Sequence, residues 1–201
     1  MGLRPPTLRE ELLALARQDA DLRAELARDG RLWQGYDPLL QRVHHRNVSR
    51  LETIVEEYGW PCVDEVGEDG AEAAWLVVHH AICDPAIQRR MLPLLEDAAA
   101  QGRIPAWQPA VLLDGIRFHE GRPQVYGSAF DWDRNGRFSP WRIENRAEVD
   151  TRRASVGLPP LRESTRRVRA RTAAEQVPAP IDLSERRRQK EQFDRSLGWR
   201  V

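Results

Sequence analysis

The sequence contains few cysteines and almost no lysine. Among its 201 residues are two cysteines, Cys62 and Cys83, and its 31 basic residues are 30 arginines and one lysine. Two cysteines without a CxxC pair exclude a disulfide-rich secreted scaffold and are typical of a reducing compartment. No stretch approaches the roughly 18 apolar residues that a membrane span needs, and the N-terminus lacks the apolar segment of a signal peptide. We therefore expect a soluble, cytoplasmic protein that does not enter a membrane.

The chain also lacks net charge, but its charges are unevenly distributed. Residues 1–150 carry 18 basic and 25 acidic side chains, whereas residues 151–201 carry 13 basic and 6 acidic side chains. Such asymmetry indicates a tail that docks on an acidic partner or one that lies on its own body, and the second is favoured. The arginine-rich stretch RESTRRVRARTAAE has no interleaved aromatic residues, so nucleic acid is not expected as a partner.

Several catalytic motifs are missing as well. The sequence has no glycine-rich phosphate loop, no GxSxG elbow and no HExxH pair, which excludes the common nucleotide-binding, serine-hydrolase and zinc-protease patterns. It therefore assigns no cofactor and no metal ligands. DWDRNG resembles the start of a calcium loop, but its twelfth position is Arg142, a cation where a bidentate glutamate is needed. A hairpin turn is the better interpretation of this stretch.

Hydrophobic periodicity predicts a helical first half. The expected helices are Leu8–Ala27, Pro38–Tyr58, about Ala71 to Cys83, and Ala86–Gln101. Thr7 with Glu10 predicts a capping box on the first helix, and Asp37 and Asp84, each followed by proline, predict the caps of the second and fourth. The apolar stretch PAWQPAVLLDGIRF is either a helix or a strand.

The pattern then changes to one typical of β-structure. Asn135-Gly136 lies between aromatic segments and predicts a type I′ hairpin with strands at about 123–131 and 137–143. Two short helices and a charged terminus that can form a helix should follow. The expected fold is α+β, mainly α, with four or more helices, a small antiparallel β-hairpin and a basic C-terminal tail. We expect a single domain over 1–163, including the hairpin at about 123–143, and an extension over 164–201.

Two adjacent histidines end the apolar stretch AAWLVVHHAICD. On a helix, His80 shares a face with Leu76 and with Asp84, whose carboxylate could orient the imidazole. His79 faces Trp75. A buried imidazole needs a hydrogen-bond partner, so a core histidine satisfied by a main-chain carbonyl is the alternative to a functional one.

A second pair, His44 and His45, lies on the second predicted helix. Four histidines in two pairs suggest a metal site, but metal sites need three or four convergent ligands, and the spacing does not establish that they converge. His119, in FHEG, is most simply a surface residue beside a turn. A metal protein using His44, His80 and His119 is therefore a third-ranked hypothesis.

The motifs YGWP, VGEDGAEAAWLVVHHA, LPLLEDAAAQG, EGRPQVYGS and VDTRRASVGLPPL occur in an order that resembles an uncharacterised bacterial family, DUF6624, over about residues 36–163. That family typically has Gln-His-Ala-Asp where this chain has His79 to Ile82, and Tyr-Gly-Thr-Gln where it has Tyr126 to Ala129. It also has Asp-Arg where this chain has Asp114-Gly115. The resemblance implies a shared fold and a shared pocket position, marked by the matching residues Trp75, His80, Tyr126 and Gly127, but it implies no reaction.

Three functional hypotheses result. The first is an enzyme acting on a small molecule or peptide, with His80 as general acid or base, Asp84 positioning it and Tyr126 supplying a hydroxyl. The residues expected to contact the ligand are Trp75, His79, Gly127 and Ser128. The second is a non-catalytic binding protein whose basic tail docks on an acidic partner, and the third is the histidine-ligated metal protein.

Overall fold

Apolar residues at helical spacing fold the first half of the chain into four helices. The structure, a computed structural model, describes residues 7–200 in two units, 7–104 and 105–200. The helices of the first unit are α1 (Leu8–Arg28), α2 (Pro38–Tyr58), α3 (Val63–His80) and α4 (Pro85–Ala100). Helix α1 packs on α2 and α3, and α2 packs on α3. The core between them is mainly aliphatic, and burying one such side chain contributes about 1.5–3 kcal/mol.

Two of the three predicted helix caps are confirmed. Asp37 accepts a hydrogen bond from the N–H of Leu39, and Asp84 accepts one from the N–H of Ile87. The capping box predicted for Thr7 and Glu10 is wrong, because the Thr7 backbone is already helical (φ −86°, ψ −5°) and its side chain makes no capping bond. A cap needs an extended backbone to turn its side chain onto the first helical N–H groups.

Helix α3 begins earlier and ends earlier than the sequence predicted. It starts at Val63 rather than near Ala71 because Gly67, at φ 75°, allows a kink that joins a preceding helical turn to the main helix. It stops at His80 rather than Cys83. The expectation that α3 is central is confirmed, since most of its apolar residues are buried.

The second unit contains four helices and a hairpin. Its helices are α5 (Trp107–His119), α6 (Val149–Ser155), α7 (Leu161–Ala174) and α8 (Leu183–Ser196). The stretch that the sequence left undecided is therefore the helix α5, and the charged terminus is helical. The mainly α, α+β fold class is confirmed. Within residues 7–200 no helix is long and apolar enough to cross a membrane.

The hairpin is confirmed, but its strands are shorter than expected. Strand β1 (Phe130–Trp132) pairs antiparallel with β2 (Phe138–Pro140), with Asp131 opposite Ser139. The predicted strands 123–131 and 137–143 are too long because the main chain from Val125 to Ser128 bonds a side chain instead of the opposite strand. Asp114 accepts hydrogen bonds there from the N–H groups of Val125 and Ser128, each at 2.8 Å.

The turn of the hairpin is not type I′. Gly136 has a positive φ of 67°, whereas Asn135 does not. The Asp133 carbonyl accepts from the N–H of Gly136 at 3.1 Å, and the Asp133 carboxylate accepts from the N–H of Asn135 at 2.8 Å. This aspartate-stabilised turn with a left-handed glycine is the three-residue alternative to the two-residue I′ loop.

The predicted tail folds as part of the second unit. Helix α7 continues from position 163, where the domain was expected to end, into position 164, where the extension was expected to begin. In α8, Arg186 pairs with Asp131 at 3.0 Å, and Asp194 accepts a hydrogen bond from His119 at 2.8 Å. Part of the tail's positive charge is thus neutralised inside its own unit. The domain division at residue 163 stays a prediction.

Candidate functional site

Three ionisable side chains meet where α1, α2 and α3 pack together. The ring of His44 donates from Nε2 to Asp19 Oδ1 at 2.6 Å, and the ring of His80 donates from Nδ1 to Asp19 Oδ2 at 2.5 Å. The two ring centroids are 5.7 Å apart. We call Asp19, His44 and His80 the Asp19 cluster. It places one carboxylate between two imidazoles.

The helical repeat explains how these residues reach the core. Asp19 lies on the buried face of α1 that also carries Leu12, Leu15 and Leu26. On α2, His44 shares the buried face with Leu40, Val48 and Leu51. Each polar residue therefore occupies a position that the pattern reserves for an apolar one. Burying a polar group costs free energy unless it finds a partner, and here the partners are one another.

Electrostatics define which atoms carry protons. Burial of the Asp19 carboxyl favours a higher pKa, but the hydrogen bonds from His44 and His80 outweigh it and hold the pKa well below its usual range. Burial lowers the pKa of His44, although Asp19 opposes this. Asp19 is therefore an ionised acceptor. Both imidazole nitrogens that face it must carry hydrogen.

Tyr36 extends the cluster on the side of His44. Its hydroxyl lies 2.6 Å from His44 Nδ1, and burial raises the pKa of Tyr36, so the hydroxyl keeps its proton. Because the protonated Nε2 of a neutral His44 faces Asp19, Nδ1 accepts from Tyr36. Hydrogen bonds thus run continuously from Tyr36 through His44 and Asp19 to His80.

The other end of this chain of hydrogen bonds is the His80 ring. The His80 side chain is 24% exposed, and within residues 7–200 no hydrogen bond is made to its Nε2. The ring is therefore held at Nδ1 while Nε2 stays available for a proton. A histidine fixed in this way has a defined tautomer and orientation.

Three other residues that the sequence predicted to take part in catalysis or ligand binding lie in the first unit. Asp84 caps α4 through the N–H of Ile87 at 3.0 Å, and the carboxylate on His80 is instead Asp19. The His79 ring stacks on the Trp75 indole, with centroids 4.8 Å apart and an angle of 11° between the planes. Trp75 and His79 thus form one aromatic pair beside the cluster on α3.

Tyr126, Gly127 and Ser128 belong to the second unit, where they form a loop around a buried carboxylate. Asp114 accepts from the N–H groups of Tyr126 and Ser128 and from the Ser128 hydroxyl, and the Tyr126 carbonyl accepts from Arg153. Gly127 has φ 70°, and a Cβ there would lie 2.6 Å from Ile143 Cδ1. The family-like Tyr-Gly stretch is thus a tightly fitted loop.

His119 also lies in the second unit. Its Nδ1 donates to Asp194, which is 0% exposed and also pairs with Lys190 and Arg200. His119 is therefore a partly buried residue, with 13% of its side chain exposed, and it is hydrogen-bonded rather than the surface residue expected from the sequence. Of the three histidines in the metal hypothesis, His44 and His80 are adjacent and share Asp19 as a partner.

Sequence reasoning missed Asp19, Tyr36 and Asn47. A usable signal existed for two of them, since Asp19 and Asn47 interrupt otherwise apolar helical faces. Asn47 is 2% exposed and its amide donates to the Leu15 carbonyl at 2.9 Å. Polar residues at core positions of a predicted helix mark either a structural bond or a site.

Together these features define a mainly helical α+β protein whose first unit encloses a carboxylate between two histidines. The family model described as a family of unknown function, DUF6624, matches residues 6–173. The chain belongs to that family, as the order of its motifs suggested. Comparisons with curated proteins and with solved structures gave no significant match.

Proposed function

We propose that this protein is an enzyme in which the His80 imidazole transfers protons as a general acid or base. The observation that carries the proposal is the 2.5 Å hydrogen bond from His80 Nδ1 to Asp19, on a ring whose Nε2 makes no hydrogen bond within residues 7–200. A carboxylate on one nitrogen fixes the tautomer and stabilises the imidazolium that forms when the other nitrogen takes a proton.

Asp19 and His44 are positioning residues in this proposal. Because His44 bonds the second carboxylate oxygen at 2.6 Å, it holds the Asp19 carboxylate in the orientation that faces His80. Fixing the acceptor in advance removes reorganisation from the reaction. Tyr36 hydrogen-bonds His44 in turn. The His80 ring is thus held in place by three residues that do not themselves contact the substrate.

The substrate is proposed to be a small molecule or a peptide that approaches the exposed edge of His80. The cavity that the cluster residues line measures about 10 Å³, which holds one water molecule but no substrate. The reacting group must therefore reach Nε2 from outside. A contribution from the Tyr126 hydroxyl stays a prediction.

The alternative of a binding protein with a docking tail has less support. Three cations of the tail, Arg186, Lys190 and Arg200, pair with the buried carboxylates Asp131 and Asp194 of the same unit. They are not available for an acidic partner without breaking those pairs.

Diethylpyrocarbonate tests the proposal without a known substrate, because it acylates unprotonated imidazole nitrogens. Peptide mapping at pH 8 would give the modification rate of each histidine. We expect His80 to react faster than His79, its neighbour on α3, and Asp19→Asn to slow His80 while leaving the exposed His45 unchanged. Equal rates for His79 and His80, or no effect of Asp19→Asn, would contradict the proposal.

A further inference from the structure

We propose that the Asp19 cluster binds one divalent transition-metal ion, with Zn²⁺ as the first candidate. The ligands would be a carboxylate oxygen of Asp19, Nε2 of His44 and Nδ1 of His80. Two imidazoles and one carboxylate are the protein ligands of open zinc and non-haem iron sites, which leave further positions for water or substrate. Metal binding goes beyond the proposed proton transfer and does not depend on it.

The distances suit a single ion. One ligand atom from each of the three residues lies within 4.8 Å of the other two. Bonds of about 2.0–2.2 Å from a common ion place neighbouring ligand atoms roughly 3.3 Å apart, so the side chains need only small movements. The cluster is also supported on three different helices, which keeps the ligands together without the ion.

An independent observation comes from Asn47. Its Oδ1 is buried and makes no hydrogen bond to any residue in the described part of the chain, while its amide nitrogen donates to Leu15. Asn47 lines the same cavity of about 10 Å³ as the cluster residues. A buried acceptor without a partner is rare. A metal-bound water in this cavity, or the ion itself, would satisfy the Asn47 oxygen.

Tyr36 supplies the outer support that a metal-binding histidine needs. Such histidines almost always bond through their second ring nitrogen to a protein group or water, and His44 Nδ1 lies 2.6 Å from the Tyr36 hydroxyl. When Nε2 binds metal, the proton of the neutral ring moves to Nδ1. The Tyr36 oxygen then accepts the hydrogen bond that the hydroxyl donates in the metal-free protein.

Metal binding and proton transfer exclude each other at His80. With the ion on Nδ1, the neutral ring carries its hydrogen on Nε2 and can no longer accept a proton there. If the proposed function is correct, the ion therefore suppresses it. This consequence rests on the proposed function, whereas metal binding itself is measurable without a substrate.

The test is calorimetric titration of ZnCl₂ into chelator-treated, dialysed full-length protein. We expect one site per chain. His44→Gln and His80→Gln should each weaken it by about 100-fold or more, and Tyr36→Phe by about tenfold. His45→Gln and His79→Gln are matched controls next to each ligand and should leave the affinity unchanged. Circular dichroism would establish that each variant is folded.

A measurement on the unmutated protein tests the inference even where the variants fail to fold. Long-range ¹H–¹⁵N spectra of the imidazole rings should show that Zn²⁺ moves the signals of His44 and His80 and leaves those of His45, His79 and His119 in place. Any of three results would overturn the inference. They are the absence of a site with one zinc ion per chain, an equal loss of zinc affinity in His44→Gln and His45→Gln, and zinc-induced signal shifts confined to other histidines. If the protein binds zinc but His80 does not react with diethylpyrocarbonate as expected, the metal site stands and the proposed function fails. If His80 reacts as expected but no zinc binds, the proposed function stands and the metal site fails.

Discussion

His80 Nδ1 lies 2.5 Å from Asp19 Oδ2, although the two residues are 61 positions apart in the sequence. The contact exists because α1 packs along α3 and carries a carboxylate on its buried face. His44 holds the other oxygen of the same carboxylate. One buried anion thus orients two rings, and removing it affects both.

Replacing Asp19 tests whether the cluster is a linked unit. Asp19→Ala leaves two imidazole N–H groups without an acceptor, at a cost of about 1–3 kcal/mol for each. Asp19→Asn keeps an oxygen and should cost less. The free energy of unfolding in urea would measure both changes. An Asp19→Ala protein as stable as the original would mean that the two rings find other partners or solvent.

His80→Gln should abolish most of any turnover. A general acid or base typically contributes ~10²–10⁴ in rate, so an activity found in a panel of esters, amides and phosphodiesters should fall at least a hundredfold in this variant. His45→Gln is the control, because His45 is exposed and is not a member of the Asp19 cluster. Equal losses in the two variants would remove His80 from the reaction.

The sequence predicted the helices better than the site for a physical reason. Helix positions follow from local periodicity and caps, and Asp37 and Asp84 cap the helices that the sequence assigned to them. The partner of His80 depends on packing between helices that are distant in the sequence, so local spacing points to the neighbouring Asp84 and not to Asp19. A polar residue on an apolar face was the available signal.

The hairpin shows the same limit at shorter range. Asn135-Gly136 correctly marked the turn, but the turn type depends on the Asp133 carboxylate that binds the N–H of Asn135 at 2.8 Å. The start of β1 depends on Asp114 of α5, because its carboxylate accepts hydrogen bonds from the loop that precedes this strand. Dipeptide preferences therefore located the hairpin without fixing its geometry.

Gly127→Ala should destabilise the loop around Asp114. The residue has φ 70°, and its new Cβ would meet Ile143 Cδ1 at 2.6 Å and Leu161 Cδ1 at 3.1 Å. Left-handed strain alone costs on the order of 1 kcal/mol for alanine, and the clash adds to it. Thermal unfolding would measure the loss. Adding Ile143→Val removes the closest atom, so the double variant should regain part of the stability, and no recovery would indicate that backbone strain dominates.

Acid should weaken the second unit through His119. Burial lowers the pKa of His119, and Lys190 and Arg200 add to this effect while Asp194 opposes it. In the unfolded chain the His119 imidazole binds a proton near pH 6.5. Burial disfavours the same proton in the folded state. The free energy of unfolding should therefore be fully present above that pH and decrease as the pH falls from 7 towards 5, by at most about 1.4 kcal/mol per pH unit.

Urea unfolding at several pH values, followed by tryptophan fluorescence, measures this slope, because Trp199 stacks on His119 with centroids 5.2 Å apart. His119→Asn keeps a donor for Asp194 and removes the titrating ring, so the slope between pH 7 and 5 should flatten. The pKa of Asp194 is also lowered, with burial opposing and the bonds from His119 and Lys190 prevailing. The stabilisation from Asp194 is present above the pKa of an aspartate in the unfolded chain, about 4, and is lost below it. A decrease in the free energy of unfolding that is confined to this lower pH range would therefore assign the acid sensitivity to Asp194 rather than to His119.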